Sequence, residues 1–173
     1  RYKDSLYTFL HQFLNDRDLI EDVFQETLLQ LFSSRESFDV NRPLRPWLFT
    51  IAANKAKDAL RRQHRSAAIT IGSMADAEDM SFDEAINNIT SITSVPYEEM
   101  AENEIATQVR QIIANMPDNL REILILAYFN KFSYKQMTDI LSIPIGTVKS
   151  RLHTAVNRFA KDWTAFVRSK KHK

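Results

Sequence analysis

Along most of this chain, apolar positions recur at the three- and four-residue spacing of a single helix face. Leu6, Phe9, Leu10 and Phe13 predict a helix over residues 2–14. Leu19, Val23, Leu28, Leu31 and Phe32 predict a second, from about Asp18 to Phe32, with Asp22, Gln25 and Glu26 on its other face. The polar stretch SSRESFDVNRP, residues 33–43, reads as a loop. A third helix opens between Pro43 and Pro46, because proline is tolerated in a first turn. It runs through Trp47, Leu48, Ile51, Ala52 and Leu60 and ends in RRQHR, residues 61–65, with more positive charge than capping a helix end requires.

The pattern breaks over residues 66–96, which are rich in Ser, Thr, Ala and acids. This stretch reads as a linker with a short helix near 82–89. Helical spacing resumes near Pro96 and continues to Met116. Pro117 opens a further helix, Ser133 caps YKQMTDIL, and a tight turn, SIP, leads into a last long helix that ends in a basic tail. The fold class is therefore all-α. It comprises two small helical domains, 1–65 and 97–173, joined by an acidic linker at 66–96.

Charge sharpens that division. Residues 1–65 carry eleven Lys and Arg against nine acids, residues 66–109 carry nine acids and no Lys or Arg, and residues 110–173 carry twelve bases against four acids. A basic C-terminal module is a nucleic-acid candidate, since Lys and Arg gain affinity by releasing phosphate counterions. The chain has no cysteine, which removes disulfides, thiolate metal sites and cysteine nucleophiles and fits a reducing compartment. His11, His64, His153 and His172 show no metal-ligand spacing, and no paired carboxylates, phosphate-cradling loop or nucleophile motif points to an enzyme. No cofactor is expected. No apolar run reaches a membrane-span length and no signal-peptide pattern is present; with Arg1 in place of Met, the start is expected to be a trimmed one.

The last helix carries the candidate chemistry. Ile145, Val148, Leu152, Val156 and Phe159 are expected to form its buried stripe, leaving Thr147, Lys149, Ser150, Arg151, His153, Thr154 and Arg158 elsewhere on the wheel. The preceding short helix contributes Met137, Ile140 and Leu141, which completes a helix-turn-helix pattern whose second helix enters the major groove. Pro144 presets the first turn, and Gly146 leaves the backbone amides open to a phosphate. Arg151 has the fork for a bidentate contact to guanine, while Lys149 and Ser150 suit either a base edge or a phosphate. A solvated basic face on an amphipathic helix has the same spacing.

The segment MPDNLREILILAYFNKFSYKQMTDILSIPIGTVKSRLHTAVNRF resembles the C-terminal DNA-binding domain of RNA polymerase sigma factors of the extracytoplasmic-function group. DLIEDVFQETLLQLFSSRESFDVNRPLRPWLFTIAANKAKDALRRQHR resembles the N-terminal domain of the same group, in the right order and at the right distance. The resemblance implies that Thr147, Lys149, Ser150, Arg151, His153 and Thr154 read the minus-thirty-five element. Thr154 stands where the group often has a base, Ser142 where it often has a turn glycine, and Thr138 where it often has alanine.

The resemblance also implies that Asp22, Gln25 and Glu26 dock on the polymerase clamp helices. The loop from Ser37 to Leu44 is implied to capture a base flipped from the non-template strand, with Phe38 and Asn41 in the loop and Arg42 and Arg45 holding phosphates. Trp47 and Phe49 are candidates to stack on bases. Asn54, Lys55, Asp58, Arg61, Arg62 and Arg65 resemble the minus-ten reading face. The implied partners are core RNA polymerase, promoter DNA and an anti-sigma factor, with a cytoplasmic location and no membrane insertion. A helix-turn-helix regulator with an N-terminal sensor or dimerisation domain remains open as the alternative.

Overall fold

The computed structural model describes residues 2–14, 16–67 and 104–171, and all their regular structure is helical. The elements are α1 (Lys3–Phe13), α2 (Arg17–Ser33), a 3-10 turn (Arg35–Ser37), α3 (Leu44–Ala67), α4 (Glu104–Ala114), α5 (Asp118–Leu124) with a π-helical turn (Ile125–Phe129), α6 (Tyr134–Leu141) and α7 (Ile145–Lys171). The helix expected near 82–89 and nearly all of the acidic linker lie outside the described residues. Helix α3 continues through Ala67, two residues into the stretch read as linker.

The N-terminal half is a three-helix unit. Leu6, Phe9, Leu10 and Phe13 are buried as their spacing predicts, and Phe9 lies 5.9 Å from the Phe13 ring and 5.3 Å from Phe49 of α3. Asp16 caps α2: its Oδ1 accepts from the amides of Asp18 at 2.9 Å and Leu19 at 3.2 Å, satisfying two orphan donors of the first turn. The buried stripe of α2 differs from expectation. Ile20, Val23 and Thr27 are buried, whereas Leu28 and Phe32 are exposed. Thr27 can be buried because its hydroxyl donates to the Val23 carbonyl at 2.7 Å, so no polar atom is stranded.

In the C-terminal half, α5 and α7 pack together with α4 and α6 against them. Buried Asn130 produces the π turn between α5 and α6: both its backbone N and its Nδ2 donate to the Ile125 carbonyl, at 3.1 and 3.2 Å, which holds that turn one residue wider than α-helical. Helix α6 begins with a reciprocal cap. Gln136 N donates to Ser133 Oγ at 3.3 Å, and Ser133 N donates to Gln136 Oε1 at 2.9 Å. It ends at Ser142 with φ 54°, the left-handed conformation that glycine adopts most easily and the position where the sequence departs from the related turn.

The two halves are pressed together. Helix α6 packs along α3, and α4 and the π turn pack on α1. The Phe132 ring meets Phe49 edge-on at 4.9 Å. The Arg45 guanidinium lies 4.4 Å from the Phe132 ring centre and donates from Nη2 to the Asn130 carbonyl at 2.8 Å. Lys57 of α3 and Glu122 of α5 pair across the same boundary, with Nζ 3.4 Å from Oε1. Burial pushes the Glu122 carboxyl up, and the charges of Lys57 and Arg151 pull it back down.

Candidate nucleic-acid interface

The loop after α2 is built by its own short-range hydrogen bonds. Asp39 Oδ1 accepts from both the backbone N of Asn41 at 3.0 Å and its Nδ2 at 3.1 Å, an Asx turn that holds the Asp39 carboxyl below the usual carboxylate range. Arg42 N donates to the Asp39 carbonyl at 2.9 Å, leaving the Arg42 side chain exposed with Nε 3.7 Å from Asp39 Oδ2. This turn folds Phe38 back onto Trp47, ring centres 4.6 Å apart. Phe38, Asp39, Arg42, Pro46 and Trp47 line a cleft of about 490 Å³, to which Gln136 and Asp139 of α6 also contribute. An aromatic pair beside an exposed guanidinium suits an unstacked base and its phosphate.

A second cleft of about 350 Å³ also borders Trp47 and is lined by Asn54, Lys55 and Asp58 of α3. Trp47 thus contributes to both. Arg61 and Arg62 are exposed further along α3, with Arg61 3.3 Å from Asp58. Lys55 and Arg62 both pair with Glu26 of α2, at 3.6 and 3.4 Å. The residues expected on the minus-ten face are exposed or partly exposed on this side of the chain, with two exceptions. Arg45 lies on the side of α3 that carries Phe49, Ala52 and Ala56 and is engaged by Asn130 and Phe132. Its pKa is lowered by burial, with Tyr2 opposing. Phe49 is fully buried in the core and so is not available to stack on bases, whereas Phe38 and Trp47 line the cleft. The side chain of Arg65 is outside the described residues.

The last helix confirms the expected stripe at Val148, Leu152, Val156 and Phe159 and adds Ala155, but Ile145 is half exposed rather than buried. As the first residue of α7 it precedes the turn that reaches the core. Lys149, Ser150, His153, Thr154 and Arg158 are exposed, and Thr147 and Arg151 are partly so. Two of the hydroxyls turn back on the helix: Ser150 Oγ donates to the Thr147 carbonyl at 3.2 Å and Thr154 Oγ1 to that of Ser150 at 2.9 Å. Each hydroxyl, having donated, keeps its oxygen lone pairs as acceptors. His153 Nδ1 lies 3.3 Å from Asn157 Nδ2, and Arg158 donates to Asp162 at 3.0 Å. A Cβ built on Gly146 would meet nothing within 4 Å, so the open space there faces outward.

On α2, Asp22 and Gln25 are exposed and Glu26 is partly so. The same face continues into apolar side chains the sequence reading placed elsewhere or passed over. Leu29 is 69% and Phe32 66% exposed, and the Arg35 guanidinium sits 4.1 Å over the Phe32 ring. Spacing held the signal: Leu29 follows Gln25 by four and Asp22 by seven, and Phe32 follows Gln25 by seven.

Fold and sites together define an α-helical DNA-binding protein of two domains, a helix-turn-helix in one and an aromatic, basic cleft in the other. Residues 1–66 match the family described as Sigma-70 region 2, and residues 106–159 match Sigma-70, region 4. The RNA polymerase sigma-H factor of Pseudomonas aeruginosa is 30% identical over 155 residues, covering 90% of this chain and 78% of the relative. The ECF RNA polymerase sigma factor SigW of Bacillus subtilis is 29% identical over 152 residues, covering 88% of this chain and 79% of the relative. Among solved structures, the sigma factor RpoE of Bartonella quintana, in complex with the anti-sigma factor NepR, superposes with a TM-score of 0.69 at 25% identity, covering 94% of this chain and 91% of that one.

The chain belongs to the extracytoplasmic-function (ECF) RNA polymerase sigma factors. It is an alternative sigma factor that binds core RNA polymerase and directs promoter recognition for transcription initiation. Sigma factors as a class are not enzymes. No helix among the described residues is long and apolar enough to cross a membrane.

Proposed function

We propose that the division of labour runs by helix face. Asp22, Gln25, Glu26, Leu29 and Phe32 of α2 dock on core polymerase. Phe38, Asn41, Arg42 and Trp47 take a base of the melted minus-ten strand. Asn54, Lys55, Asp58, Arg61 and Arg62 track its backbone and neighbouring bases. Thr147, Lys149, Ser150, Arg151, His153, Thr154 and Arg158 read and grip the upstream element. Domain limits of 1–65 and 97–173 with the acidic linker between them suit a protein that spans two promoter elements, and the protein acts in the cytoplasm. The relative solved with an anti-sigma factor supports an anti-sigma partner here as well.

The observation that carries this reading is the α2 face, where two large apolar side chains stand in solvent directly beyond an acidic and amide patch. A solvated helix does not need Leu29 and Phe32 outside, whereas an interface with an apolar centre and a polar rim does. Asp22→Lys combined with Leu29→Asp should lower core polymerase affinity at least tenfold, as expected for centre and rim together. Both side chains are exposed, so the melting temperature should not fall. Glu26 is left intact in this variant because it also pairs with Lys55 and Arg62. Unchanged affinity in a pull-down would remove the docking assignment.

A further inference from the structure

Helix α4 packs on α1, and between them lies a cleft of about 530 Å³ that the start of α2 also lines. None of its lining residues belongs to the single-strand cleft, the α2 docking face or the reading positions of α7. Leu14, Ile20 and Ile113 are buried and give it an apolar wall, and the half-buried Phe129 adds an aromatic ring. Arg17 enters from the N-terminal domain and Arg110 from the C-terminal one, and no Asp or Glu lines the cleft among the described residues. Arg17 is exposed, and its guanidinium makes no hydrogen bond or ion pair among the described residues. Arg110 is fixed from its own helix: Nε donates to the Ala106 carbonyl at 3.3 Å and Nη2 to Thr107 Oγ1 at 3.4 Å. Burial lowers the pKa of His11, with Glu21 opposing, so this ring is neutral at neutral pH and the positive charge of the cleft is that of the two arginines. Gln12 lines the same cleft, and its buried Oε1 accepts from no donor among the described residues, a polar atom the protein alone leaves unsatisfied.

We propose that this cleft is a binding site for a free nucleoside phosphate, with the phosphates on Arg17 and Arg110 and the base against the apolar wall. Two guanidinium forks match several phosphate oxygens in pairs, which is more than a single carboxylate would use. The apolar wall and the Phe129 ring suit the flat face of a base. The amides of Gln12 and Gln111 suit its edge, because each can both donate and accept. A volume of this size and a lining that is mostly apolar with a few convergent polar groups are those of a small-molecule site. Because the two arginines belong to different domains, one ligand touches both, and its binding is linked to the contact of α4 with α1.

The test is fluorescence anisotropy of N-methylanthraniloyl-ADP and N-methylanthraniloyl-GDP with the full chain. At least one should bind saturably at a single site. The matching unlabelled nucleotide should displace it, while its nucleoside and inorganic phosphate should each compete at least about tenfold more weakly, since each keeps only part of the contacts. The same nucleotide should raise the melting temperature, as any ligand of the folded form does. Arg17→Ala should weaken binding at least about tenfold, the size expected for a charged hydrogen bond. It should not lower stability, because Arg17 is exposed in the first turn of α2, where a positive charge is unfavourable. Thr107→Tyr places a ring at an exposed edge of the cleft and should block binding with the circular dichroism unchanged. Arg42→Ala, in the single-strand cleft, should leave nucleotide binding as it is. No saturable binding of either probe would overturn the site, and so would binding that survives both Arg17→Ala and Thr107→Tyr. Loss with Arg42→Ala alone would place the nucleotide in the single-strand cleft instead. Displacement by inorganic phosphate as strong as by the nucleotide would leave a simple anion site and remove the nucleoside.

Discussion

Gly146 and Ser142 stand four residues apart and pose opposite backbone questions. Gly146 is the second residue of α7 and has helical, not left-handed, backbone; nothing in the protein crowds its missing side chain. Alanine there should stabilise the fold by up to about 1 kcal/mol from helix propensity. It should at the same time weaken upstream-element binding if, as proposed, the vacant space admits a phosphate to the first amides. Ser142 is in the left-handed region, which costs a side-chain-bearing residue roughly 1–2 kcal/mol, offset in part by the extra chain entropy glycine loses on folding. Ser142→Gly should therefore be neutral to mildly stabilising and leave DNA binding unchanged. Thermal melts alongside promoter binding by holoenzyme check both, and a Gly146→Ala protein that binds normally would leave that glycine without a role at the DNA.

At the scale of the element, the sequence revealed the helices more fully than their faces. The stripes of α1 and of the central part of α7 follow from spacing because those helices are packed on one side by large apolar residues. Spacing misled on α2, where Thr27 takes the core position by bonding its own helix and Leu28 and Phe32 are left outside. It misled again at Ile145, which starts the helix before the helix reaches the core.

The helix proposed to read the upstream element offers a contrast between two of its arginines. Arg151 is half buried, with its charge acting on Glu122, so removing that charge disturbs the core as well as the DNA surface. Arg151→Lys keeps the charge and loses the planar fork. It should relax selection at one base pair of the upstream element and weaken holoenzyme binding to the preferred promoter by about 1–3 kcal/mol. Arg158, paired with Asp162 near the middle of α7, is the residue proposed to grip backbone instead. Arg158→Ala should weaken all sequences alike and reduce the salt slope by about one unit. Selection of randomised promoters by each variant distinguishes the two, and unchanged base preferences for Arg151→Lys would place the reading contact elsewhere on the helix.

At the scale of the molecule, charge segregation along the chain revealed two modules, and the family pattern revealed their order. Their contact was not legible. Arg45 looks like any loop-proximal cation until Asn130 and Phe132 are brought to it from the other domain, and Lys57 and Glu122 are unremarkable until they meet. Contacts between residues so far apart in sequence leave no local period to read.

The account stands most directly on transcription by core polymerase from a pool of genomic fragments, with and without this chain. It predicts new transcripts that start only when the chain is added and that share two upstream sequence elements. They should disappear with Asp22→Lys combined with Leu29→Asp, and the downstream element should lose its selection with Phe38→Ala. Transcripts unaffected by the chain, together with tight binding of the free chain to duplex DNA, would contradict it.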